Sequence, residues 1–124
     1  MTAEIVAFDH VQLAMPAGQE DVARSFYCDV LGMVEEPKPP ALQARGGLWL
    51  KAGACRLHLG VDSEFRPARK AHPALIVRGL AALVRSCAEA GVETHRDEPL
   101  KGIDRIFVFD PFGNRIELVE HHDG

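Results

Sequence analysis

Four side chains able to hold a divalent metal ion sit at matched places in this sequence: His10, His58, His72 and Glu117. Glu117 belongs to the run DPFGNRIELVE, Asp110 to Glu120, where a turn leads into a strand and a carboxylate interrupts an apolar ladder. Alternation puts Ile116 and Leu118 on one face and Arg115, Glu117 and Val119 on the other, so Glu117 is either a rim charge or part of a polar cluster on a sheet. His58 follows Gly32 at the same interval as Glu117 follows Gly91, and each glycine ends a helical segment. His10 and His72 each open the strand ahead of such a segment, and Pro73 restricts His72 to extended geometry. Imidazoles and carboxylates together bind first-row divalent metals. Two histidines and one carboxylate on one side of an ion leave positions open for substrate or oxygen. A lone strand histidine is ordinarily half-buried and satisfied by a neighbour or water; the matched spacing lifts these four above that background. His95, His121 and His122 fall outside it and read as strand-edge and solvent positions.

The elements that must position these residues form one pattern written twice. A strand is expected over "IVAFDHVQLAM", Ile5 to Met15, with Val11 and Leu13 on one face and Phe8, His10 and Gln12 on the other. Residues 19–31 read as an amphipathic helix with Val22, Phe26 and Val30 beside Ala23, Tyr27 and Leu31, an acidic first turn and Gly32 as its stop. Short strands follow at MVEE, GLWLKA and CRLHLGV, then a polar connector, DSEFRPARKA. The pattern restarts with HPALIV, a helix over GLAALVRSCAEAG burying Leu80, Leu83, Val84 and Cys87, and strands around VETH, RIFVFD and NRIELVE. The expected organisation is one domain over 1–124: a β-α-β-β-β module at about 5–61, a linker at 62–71 and a second module at about 72–120. If the modules pack with approximate two-fold symmetry, His10, His58, His72 and Glu117 face one cleft.

Composition narrows the classes of function. A net charge of -4 argues against a nucleic-acid or anionic-membrane surface, leaving a small molecule or a protein as partner. No basic region followed by an apolar run opens the chain and no apolar stretch nears transmembrane length, so a cytoplasmic location is expected. Cys28, Cys55 and Cys87 are odd in number and widely spaced, which reads as core thiols rather than disulfides or a zinc site.

With the repeat and these positions in hand, the chain resembles the vicinal oxygen chelate superfamily, which includes glyoxalase I, extradiol dioxygenases, methylmalonyl-CoA epimerase, fosfomycin-resistance thiol transferases and bleomycin-resistance proteins. FDHVQLAM, FYCDVLGM, CRLHLGV, HPALIV and DPFGNRIELVE carry the resemblance over nearly the whole chain. It implies an α+β fold of two repeated modules with concave mixed sheets, and metal ligation by His10, His72 and Glu117. His58 falls where glyoxalase I places a ligand glutamate that also acts as base. An imidazole bound to metal cannot replace such a carboxylate, which counts against glyoxalase I activity and leaves His58 as a fourth ligand, an outer support or a general base. The resemblance also implies a homodimer whose clefts draw ligands from both chains.

If Leu48, Leu50, Ile106 and Val108 turn to the helices, then Trp49 and Lys51, with Arg105, Phe107 and Phe109, face the cleft alongside Gln12. Such a pocket suits a small chelating organic anion, the ion acting as Lewis acid. The leading expectation is therefore a divalent-metal enzyme (Fe, Mn, Ni or Zn) of isomerase, lyase, group-transfer or dioxygenase type. The alternative is a metal-independent drug-binding resistance protein with Trp49, Phe107 and Phe109 as walls; a vestigial site serving a partner domain is a third.

Overall fold

Alternating apolar and polar residues leave each strand one greasy face, and the chain buries these faces by building two separate four-stranded sheets. The structure is a computed structural model and describes residues 2–122. The first sheet has the spatial order β1 (Val11–Met15), β4 (Cys55–Val61), β3 (Leu48–Ala52), β2 (Val34–Glu36). The second repeats it as β5 (Ala74–Ile76), β8 (Arg115–His121), β7 (Ile103–Phe109), β6 (His95–Arg96). In both, the first strand pairs parallel with the last and the other pairs are antiparallel, giving mixed sheets of identical topology. The α+β fold of two repeated units stands.

The register makes the internal repeat exact at the level of residue rows. His58 lies between Gln12 and Trp49; Glu117 lies between Ala74 and Phe107. His10 and His72 are each two residues upstream of the β1 or β5 partner in that row.

Leu48, Leu50, Leu57 and Leu59 in the first sheet, with Ile106, Val108, Ile116 and Leu118 in the second, turn inward beneath the helices and are fully buried. Each contributes about 1.5–3 kcal/mol relative to leaving it exposed. α1 (Glu20–Arg24) runs on into a π-helical stretch, Ser25–Val30; α2 is Pro40–Gln43 and α3 is Leu80–Glu89. Cys87 is buried and Cys28 and Cys55 are half-buried, and burial pushes all three thiols up. Among the described residues no helix is long and apolar enough to cross a membrane.

Four details differ from expectation. β1 starts at Val11, not Ile5; β4 begins at Cys55 just after a glycine turn, level with Asp9 in this register, so residues 5–8 have no ladder and Ile5, Val6 and Phe8 are left 86–96% exposed. Val22 is exposed, since the wider π-helical turns put Ala23, Phe26 and Tyr27 on the core face. In α3, Leu80 and Cys87 are buried whereas Leu83 and Val84 are only partly covered. The strand expected around VETH is reduced to His95–Arg96.

The DPFGN turn ties the two sheets together. Asp110 accepts from the Tyr27 hydroxyl at 2.6 Å and from the backbone N–H groups of Phe112 and Asn114. Asn114, fully buried, donates to the Ala14 carbonyl of β1 at 2.9 Å and to Asp110, and accepts from the Ala68 N–H. Burial, and then the adjacent Asp110 carboxylate, push the Tyr27 phenol well above its ordinary value, so it remains a donor.

Candidate metal centre

Pro73 and the β5–β8 ladder bring His72 against Glu117. The Glu117 N–H donates to the Pro73 carbonyl, and His72 Nε2 lies 3.1 Å from Glu117 Oε1. His72 Nδ1 is 2.8 Å from the Lys70 carbonyl, which can only accept, so the ring proton belongs on Nδ1. Nε2 then presents a lone pair to a carboxylate. Two acceptors at this separation need a proton or a cation between them. Arg105 Nη1 stands 3.6 Å from the other carboxylate oxygen.

His10 has the same construction on the first sheet. Its Nδ1 is 2.8 Å from Asp9 Oδ2, the carboxylate–histidine arrangement that orients metal-binding imidazoles and leaves Nε2 open. His58 is sandwiched: its ring stacks on His10 at 4.1 Å and on Trp49 at 4.3 Å between centroids. Burial first, and then charge on His10, hold His58 below its ordinary value, so the ring at neutral pH is uncharged. These rings line a cavity of about 450 Å³ together with Gln12, Glu36, Lys38, Arg45 and Arg56. Gln12 lies across Gly60, where an added Cβ would come within 2.5 Å of its amide nitrogen.

On the second sheet, Phe107 and Phe109 meet edge to face at 5.7 Å. The His95 ring stacks on Phe107 at 4.9 Å, and the Arg115 guanidinium lies over the same ring at 4.0 Å. Arg105 also donates to the Glu98 carbonyl and approaches Asp97 at 3.9 Å.

The structure thus gathers the candidates in two groups: His10, His58, Gln12 and Trp49 on the first sheet, and His72, Glu117, Arg105, Phe107 and Phe109 on the second. Among the described residues no three His, Cys, Asp or Glu side chains of one chain surround a common point suited to an ion. His10 and His72 do border one groove of about 700 Å³ between the starts of β1 and β5. Lys51 does not line the first-sheet cavity; its cations come instead from Lys38 and Arg45 on the loop around α2 and from Arg56 on β4. Sequence reasoning missed these and Glu36, because the fold of a loop over a sheet leaves no periodic signal. Arg115 and Asp97 were missed too, although alternation from Glu117 already put Arg115 on the concave face.

Comparison with known proteins agrees with this architecture. The sequence model of one family, described as the Glyoxalase/Bleomycin resistance protein/Dioxygenase superfamily, matches residues 7–118. A glyoxalase family protein from Bacillus anthracis shares 43% identity, with 98% of this chain and 99% of that one covered and a TM-score of 0.93. The fosfomycin resistance protein FosX from Listeria monocytogenes shares the fold at 13% identity, covering 98% and 95% of the two chains with a TM-score of 0.71. A glyoxalase family protein from Enterococcus faecalis does so at 24% identity, 92% and 97% coverage and a TM-score of 0.62. Among curated proteins, none matches.

Proposed function

The chain belongs to the glyoxalase/bleomycin resistance protein/dioxygenase superfamily, and from that premise we propose that it is a divalent-metal enzyme acting on a small chelating organic substrate. One observation carries the reading. His10 and His72, at equivalent places in the two sheets, each have Nδ1 engaged by an upstream acceptor and Nε2 left open, and the open nitrogen of His72 faces Glu117 at 3.1 Å. A pair of acceptors held that way suits an ion better than it suits a surface. His10, His72 and Glu117 would hold the metal, which supplies Lewis acidity toward two neighbouring substrate oxygens; Fe, Mn, Ni and Zn all accept this ligand set.

The remaining roles fall to this chain's own groups. His58, covered on both ring faces, fixes the plane of His10. Gln12 offers an amide and Glu36 a proton-accepting carboxylate within the same cavity. Arg105 holds Glu117 from the side away from His72. The alternative, a metal-independent drug-binding protein, requires open aromatic walls. Phe107 is instead covered by Arg115 and His95, which favours the metal reading.

The deciding experiment is metal analysis by mass spectrometry on untagged protein, wild type and Glu117→Gln, each checked for folding. About one ion per chain, lost in the variant, is expected from the three-ligand site. No stoichiometric ion in the wild type, even after addition of each metal, overturns the reading.

A further inference from the structure

The concave face of the second sheet gathers three guanidiniums, Arg69, Arg105 and Arg115, in a chain of net charge -4. Two carboxylates there, Asp97 and Glu117, are shared among guanidiniums: Arg105 approaches both, and Arg115 reaches Asp97 at 3.2 Å. The buried Nε–H of Arg115 has no partner. Arg69 makes no ion pair among the described residues, and its guanidinium lies over the ring of Phe109 at 5.3 Å. An aromatic face holds a cation in place without neutralising it. Glu93, near His95, is almost wholly turned to solvent.

The position of Arg69 is set by the backbone. The neighbouring Ala68 accepts from the Arg115 N–H at 2.8 Å and donates to Asn114, so Arg69 starts beside the first residue of β8. Arg115 pairs with Phe109, and Glu117 with Phe107. Arg69, Arg115 and Phe109 therefore form the row adjacent to Ala74, Glu117 and Phe107, and two residues along a strand place the rows about 7 Å apart. A divalent ion engaging Glu117 would add positive charge to this face.

We propose that Arg69, with Arg115 beside it, is an anion subsite one sheet row from Glu117, and that the substrate is a chelating acid with a second carboxylate at that distance. The proposal rests on the metal-centre reading of the preceding section. Two ligands separate the ideas: 2-hydroxypentanoate and 2-hydroxyglutarate present the same hydroxyl–carboxylate chelate and differ in a terminal methyl or carboxylate. Calorimetric titration of the metal-loaded full chain should show 2-hydroxyglutarate binding at least about tenfold more tightly, since charge-assisted Arg–carboxylate bonds are strong. In Arg69→Gln the ratio should fall close to one, while Arg69→Lys, which keeps the charge, should retain part of it. Equal affinities in the wild type, a ratio that survives Arg69→Gln, or failure of metal-loaded protein to bind either acid overturns the subsite and leaves the metal centre standing. A protein that takes up no metal overturns both.

Discussion

At the residue scale, His58 shows what a sequence can and cannot say about a side chain. Its place in the repeat was legible, because the interval from Gly32 matches that from Gly91 to Glu117 and the register honours it. Its surroundings were not. Stacking against Trp49 depends on the β3–β4 register, and stacking against His10 depends on where β1 starts, neither of which a count reveals. On the proposed reading, the stacked ring would support His10. His58→Phe, which keeps a flat ring between Trp49 and His10, should therefore hold metal within about threefold of wild type, whereas His58→Ala should weaken it by roughly tenfold or more, as removal of an outer support does. Competition titration against a coloured chelator measures both; a Phe variant as impaired as His10→Ala would make His58 a ligand instead. Trp49, the sole tryptophan, gives a second readout, because its fluorescence reports whether the stack persists.

At the scale of the element, the turn Asp110–Asn114 matters more to the fold than its length suggests. The motif was legible as a turn feeding a strand, and the strand alternation correctly sent Ile116 and Leu118 into the core. What no local pattern showed is that the Asn114 side chain reaches back to β1 and the Asp110 carboxylate to Tyr27, contacts between residues far apart in the chain. Asn114→Ala removes the donor to Ala14 and the acceptor of the Ala68 N–H, stranding both in or near the core. The cost should be about 3 kcal/mol, from buried groups left unsatisfied. Tyr27→Phe, which deletes one bond to Asp110, should cost about 1–2 kcal/mol. Midpoints of urea unfolding order the variants, and a neutral Asn114→Ala would show that packing alone joins the sheets. The π-helical stretch and α2 were less legible still: a wide turn follows from tertiary packing, and a four-residue helix started by Pro40 has too little periodicity to register.

At the scale of the molecule, a single chain gathers the candidate ligands in two groups, His10 with His58 on one sheet and His72 with Glu117 on the other. The surface next to His10 is incomplete in a different sense: Ile5, Val6 and Phe8 are nearly fully exposed, and Ile76 on the edge strand β5 is 77% exposed. On the proposed reading, a second copy would cover this apolar chain and strand edge and bring its second sheet against this first sheet. Mixing two inactive chains distinguishes a shared site from one built within a chain. In a shared site, a dimer of a His10→Ala chain and a Glu117→Gln chain regains one intact centre, made of His10 from the second and His72 with Glu117 from the first. Random reassortment of equal amounts makes half the dimers mixed, so about a quarter of the wild-type metal capacity should return, as two-fold symmetry requires. If each chain built its own centre, reassortment would restore none, because every chain in the mixture lacks a ligand. Unfolding and refolding the two variants together, with each refolded alone as reference, reads the difference directly as bound metal per chain.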